Sequence, residues 1–170
     1  MEEARHDAVV KALSVRPANP SDFPGLRDLH AAAIMAAASY TDDEKRSWAT
    51  GLSAEAYGVA QQEGESFQVA VLPDGELCGF CSVKDATIVG LYIHPNHQDH
   101  GIGSALLKSG EAMIRANGHS TGELESSLNA VPFYLAKGWE VVRNAYRSTR
   151  GGKELRVLLM RKTLSGTNTA

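Results

Sequence analysis

Apolar residues recur along the chain in two rhythms. Between Gly101 and Asn117 the apolar or small positions are 102, 105, 106, 109/110, 113 and 116. Steps of three and four put them on one face of a helix, and Gly118 supplies its C-terminal cap. A continuous run from Phe67 to Leu72, followed by Pro73-Asp74-Gly75, predicts instead a strand entering a hairpin turn. A second strand is expected from about Glu76 to Val83 and a third from about Ala86 to His94, with a tight turn at Lys84-Asp85. Pro95 ends the third strand, since it has no N–H for a ladder.

The flanks follow the same logic. A short strand ends near Arg16, and Asn19, Ser21 or Asp22 can cap a helix carrying Leu26, Leu29, Ala33 and Ile34 on one face. Residues 39–64 predict one or two short helices, the first capped by Thr41 or Asp42, with Gly51 and Gly64 as punctuation. After the long helix come a strand over 122–127 with Glu123 and Glu125 on one face, a short helix stopped by Gly138, and two strands joined by "TRGG". The order β–α–α–β–β–β–α–β–α–β–β predicts a mixed α/β fold, α+β-like, with antiparallel strands before the long helix. One domain is expected over 13–164, with an extension over 1–12 and a disordered tail over 165–170.

Composition removes several function classes. The chain has 170 residues, 43% hydrophobic and 22% charged, with a formal charge of −3. Its basic residues are scattered, so neither nucleic acid nor a membrane surface is an expected partner. No apolar run approaches the roughly 18 residues of a membrane span, and the acidic "MEEARHDAVVKAL" lacks the regions of a signal peptide. A cytoplasmic location is expected. Cys78 and Cys81 form a CxxC whose alternatives are a redox pair, half a zinc site, or two small strand residues. On a regular strand they face opposite sides, which favours the last.

The chemistry concentrates in "LYIHPNHQDHGIGSALL" at 91–107. His94, His97 and His100 suggest a metal site, but Pro95 and Gly101 break the helix that would bring three rings to one point, so no metal is expected. The other reading is an anion cradle: a strand end, Gly101 and Gly103, then a helix whose first turn offers free N–H groups. No GKS or GKT follows, and Leu106 stands where a dinucleotide fingerprint needs a third small residue.

"QDHGIG" at 98–103 resembles the Q/R-x-x-G-x-G/A signature of the GNAT acetyltransferase superfamily, and "SLNAVPFYLAKGWEVV" at 127–142 resembles its second cofactor block. "YTDDEKRSWA" at 40–49 is similar to a segment of a bacterial subgroup of that family. The resemblance implies a twisted, mostly antiparallel sheet of about six or seven strands with splayed central strands, flanked by about four helices. It implies acetyl-CoA as co-substrate, its pyrophosphate on N–H groups from Gln98 through His100, Gly101, Ile102 and Gly103 to Ser104. Asp99 stands where the family often has Gly, and must point outward. A main-chain N–H near Ile93 would bind the thioester carbonyl, and Asn129 would contact the cofactor unless it serves as an N-cap.

Tyr134 falls on the family's proton-donor position, with Phe133 read as the packed aromatic beside it. Thr87 stands where some members carry a basic Glu. Glu125 is the favoured base, with Asp85, Glu123, His30 and Tyr92 as alternatives. His30, Tyr40 and Trp48, with Tyr57, Tyr146 and Arg147, are expected to line the acceptor site. The implied activity is direct N-acetyl transfer to a small-molecule or peptide amine in a ternary complex. The alternative is a non-catalytic acyl-CoA sensor on the same fold. A homodimer is left open.

Overall fold

The computed structural model describes residues 12–164 together with Glu3 and Ala4; the expected tail, and the extension apart from Glu3, Ala4 and Ala12, lie outside the described residues. The elements in chain order are β1 (Ser14–Pro17), α1 (Phe23–Met35), α2 (Asp42–Ala49), α3 (Ala54–Gln62), β2 (Ser66–Val71), β3 (Leu77–Lys84), β4 (Thr87–Ile93), α4 (Ile102–Ala116), β5 (Thr121–Ser127), α5 (Val131–Ala136), β6 (Glu140–Ser148) and β7 (Glu154–Thr163). Segment 39–64 thus makes two helices, giving five where about four were expected. Thr41, not Asp42, caps α2: its hydroxyl accepts from the Glu44 N–H at 3.2 Å while Glu44 accepts from the Thr41 N–H at 3.1 Å. Ser53 caps α3. Asp22 accepts from the Asn19 N–H at 2.7 Å and pairs with Arg16, fixing the entry to α1.

The seven strands form one sheet in the order β1-β2-β3-β4-β5-β7-β6. Every pairing is antiparallel except β4 with β5. One face carries α4 over a core that includes Leu106, Ile114, Leu124 and Met160; the other carries α1 and α3 over Leu26, Phe67, Val69 and Phe80. Trp139 is 1% exposed, and its indole N–H donates to Glu111, which also accepts from Lys162 at 2.8 Å. That satisfied polar cluster ties α4 to β7 and to the start of β6. Among the described residues no helix is long and apolar enough to cross a membrane.

The cysteines depart from the expected geometry. Val71 pairs with Leu77 and Ala70 with Gly79, so Cys78 is an extra residue in β3. A bulge breaks the alternation of faces, and both thiols enter the same core cluster beneath α4. Burial pushes the Cys78 thiol up to about 11 and the Cys81 thiol up to about 12. Both are free and protonated at neutral pH, which suits a packing role.

Candidate functional site

The site begins with a failure of pairing. β4 and β5 are matched only at Thr87–Glu123 and Ile88–Leu124, and beyond those residues they diverge. Gly90 pairs with Ser82 and Ile88 with Val83, so Val89 is a bulge at the point of divergence. Bulges bend a strand and re-aim its side chains. The His94 N–H donates to Cys78 across the β3 side at 2.9 Å. Alternation then turns the Ile93 N–H to the opposite side, toward the opening. A strand N–H facing an unpaired gap is a donor waiting for an acceptor.

At the end of β4 the chain turns into α4. Asp99 and Gly101 both have left-handed backbones, with φ of 66° and 80°. Gly101 leaves α4 without a side-chain cap, and a methyl group placed there would meet nothing within 4 Å. The first N–H groups of the helix therefore face open space with the positive end of the dipole behind them. A cavity of about 520 Å³ spreads over this turn and is bordered by Ile93, Gln98, Gly101, Gly103, Ser104 and Asn129 of the expected set. A methyl group at Gly103 would lie 3.4 Å from the Phe133 ring across it.

Two expected residues sit otherwise. The Ile102 side chain is 1% exposed in the core, so only its main chain is available to a ligand. His100 is half-buried and does not border the cavity. Asp99 is exposed, and the residue also borders the cavity. His97 borders it as well, buried, with Nε2 3.2 Å from Glu76. His94 Nδ1 accepts from the Asn96 N–H at 3.1 Å and closes the turn after β4. His94 and His97 thus help to build the loop. Among the described residues no group of three or more His, Cys, Asp or Glu could hold a metal ion.

Phe133 packs against the core as expected, but Tyr134 is the more deeply buried of the two. Tyr134 is the buried one, 6% exposed and edge-on to Trp139, while Phe133 is half-buried. Tyr134 borders both the large cavity and a gap of about 50 Å³ between β4 and β5. Burial raises its phenol well above the ordinary range, so it stays protonated at neutral pH. Asn129 does not cap a helix: α5 starts behind Ala130 with no side-chain cap.

On the other face of β4 lies a third cavity, of about 320 Å³, bordered by His30, Trp48, Tyr57, Tyr92 and Arg147. Trp48 and Tyr92 border all three spaces. Their rings meet edge-on at 6.2 Å, and Arg147 opposes the upward push of burial on the Tyr92 phenol. Tyr40 borders the gap, and its hydroxyl also serves as a strut. Its hydroxyl donates to the Arg156 carbonyl at 2.6 Å and accepts from the Leu128 N–H at 3.1 Å. Tyr146 is 67% exposed and borders none of these cavities.

The carboxylates separate clearly. Glu125 is exposed and borders the gap with Tyr134 and Arg147. Glu123 pairs with Arg161 at 3.0 Å, and Asp85 sits in the β3–β4 turn, away from the three spaces. Sequence reasoning placed Arg147 in a broad group of lining residues and missed its central position. In β6 only Ala145 and Arg147 are half-buried and all other positions exposed, an alternation that only the fold reveals.

His30 Nδ1 lies 2.9 Å from the Tyr57 hydroxyl, and the ring stacks within 4.1 Å of Tyr92. Burial, with the positive charge of Arg147 second, pushes its pKa down to about 3. Below about pH 6.5 the unfolded chain gains a proton on this residue that the folded chain refuses. The contribution of neutral His30 to stability is therefore full above that pH and is lost as pH falls toward 3. Replacing His30 by Gln should make the loss of stability between pH 7 and 5 smaller by about 1–2 kcal/mol. Urea denaturation of both proteins at the two pH values checks this; equal losses would mean that His30 charges freely in the fold.

The acetyltransferase (GNAT) domain family matches residues 36–164, a span holding both the glycine turn and Tyr134. No curated protein matches the chain. Among solved structures, a Rhodopseudomonas palustris protein described as a GCN5-related N-acetyltransferase and class-II aminotransferase is 27% identical, with a TM-score of 0.82 over 89% of this chain and 95% of its own. The PaiA N-acetyltransferase of Thermoplasma acidophilum, in complex with coenzyme A, is 22% identical, with a TM-score of 0.70 over 89% and 98%. A phosphinothricin acetyltransferase of Sinorhizobium meliloti, in complex with acetyl-CoA, is 17% identical, with a TM-score of 0.71 over 94% and 92%. The splayed parallel pair, the uncapped glycine turn and the family match agree: the chain belongs to the GNAT acetyltransferase family.

Proposed function

We propose that the protein transfers the acetyl group of acetyl-CoA to a primary amine, with both substrates bound at once. One observation carries this reading. The cavity over the glycine turn, the cavity on the far side of β4 and the gap between β4 and β5 all border on Trp48 and Tyr92. Two ligands entering from opposite faces would meet there, which makes direct transfer a matter of proximity.

Acetyl-CoA supplies the acetyl thioester. The residues of the first cavity suit it: main-chain N–H groups from Gln98 to Ser104 for the pyrophosphate, Asn129 beside them, and the Ile93 N–H for the carbonyl oxygen. A fixed donor at that oxygen stabilises charge as it develops, usually a large catalytic contribution. Tyr134 holds the proton that the departing thiolate takes up. Glu125, exposed in the gap, receives the proton of the incoming ammonium, directly or through water.

The test is release of coenzyme A thiol from acetyl-CoA over a panel of primary amines, with the N-acetyl product identified by mass. Amine-dependent release with a matching product is the expected result. Tight binding of acetyl-CoA without product on any amine would leave a binding module and overturn the transferase reading.

A further inference from the structure

We infer that the acceptor amine also carries a carboxylate, held by the Arg147 guanidinium, on a small apolar body. The inference deepens the proposed transfer and rests on it for the position of the amine. Arg147 is half-buried on the otherwise exposed β6. Among the described residues its guanidinium has neither an ion pair nor a hydrogen bond, whereas Arg16, Arg27, Arg46 and Arg161 each pair with a carboxylate. A guanidinium has five donors and cannot shed its charge. Drawing it out of water without an acceptor costs free energy that a ligand can return.

Its position gives the acceptor its shape. Arg147 borders the cavity of about 320 Å³ and the gap of about 50 Å³ where acetyl would be delivered. It acts on both His30 and Tyr92, lowering the pKa of each, so its charge is felt by the walls of the cavity. Those walls include six rings, of His30, Trp48, Tyr57, Phe67, Phe80 and Tyr92. Arg150, which also reaches the Gly51 carbonyl, adds a second guanidinium at the rim, against Glu65 as the one carboxylate of the lining. Net positive charge above aromatic walls opposes a polycationic acceptor and favours an anionic group on an apolar one. A planar fork of donors matches a carboxylate with two parallel bonds. An amine and a carboxylate on one small molecule could then reach the gap and Arg147 together.

Paired amines that differ only in the carboxylate test this: phenylalanine against phenethylamine, and leucine against isoamylamine. The readouts are kcat/KM by thiol release and calorimetric binding to the protein with and without coenzyme A. The carboxylate member of a pair should be preferred by about 10²-fold. Arg147→Gln should erase most of that preference while leaving the thermal shift by acetyl-CoA intact. Equal use of both members, a preference that survives Arg147→Gln, or failure of both amino carboxylates to bind or react would overturn the assignment. Loss of acetyl-CoA binding would strike the transfer reading instead. The calorimetric comparison on the free protein still decides the role of Arg147.

Discussion

Tyr134→Phe should lower kcat by about 10²–10⁴-fold while acetyl-CoA binds almost as before. The phenol is 6% exposed and opens onto the gap between β4 and β5. Its ring packs beside Phe133 and Trp139, at centroid distances of 5.2 and 6.2 Å, and a phenylalanine ring preserves those contacts. Only the proton is removed. Because burial raises the phenol pKa, the wild-type acid stays protonated through and above neutral pH, so no loss of acid function is expected as pH rises from 6 to 9. A thiolate is a good leaving group with a pKa of about 8.5, which puts the expected fall toward the lower end of the range. Steady-state rates on a true amine, with affinity measured by thermal shift, check both halves. A variant turning over at the wild-type rate would show that water or another group is the acid, and the role of Tyr134 would fall.

What could be read from the chain follows from how local each signal is. The long helix and the hairpin at Pro73-Asp74-Gly75 rest on periodicity and turn chemistry within a few residues, and both stand in the structure. The glycine turn was legible for the same reason, since a strand end, two glycines and a helix start are adjacent in sequence. The bulge at Cys78 was not legible, because it exists only in the register between β2 and β3. Tyr40 borders the gap as expected, but that its hydroxyl is held by Arg156 and Leu128, both far away in sequence, was not legible. That Tyr134 is buried more deeply than Phe133 was not legible, because a helix of six residues shows too little periodicity to tell its buried face from its open one. The meeting of three cavities at Trp48 and Tyr92 joins α2 to β4. Neither segment names the other, which is why the sequence offered a group of acceptor-site candidates but no geometry.

Gly103→Glu should abolish the rise in melting temperature that acetyl-CoA produces, through a loss of affinity of about 10²-fold or more. The position is the second of α4. There a glutamate suits the helix better than glycine does, by propensity and by its charge near the dipole's positive end, so the variant should fold. The cost falls on the ligand. The first carbon of the new side chain would lie 3.4 Å from Phe133 and 3.8 Å from Ile93, inside the cavity where the cofactor must enter. The carboxylate then occupies the field that the free N–H groups would offer a pyrophosphate, and two like charges compete for one cradle. Gly103→Gln separates the two causes: it adds nearly the same bulk without the charge, and should weaken binding less. Thermal shift with acetyl-CoA across wild type and both variants makes the comparison. Glutamate alone eliminating the shift would identify charge at the cradle as the cause. An undiminished shift in a folded Gly103→Glu protein would mean that acetyl-CoA lies elsewhere, and the glycine turn would lose its assigned ligand.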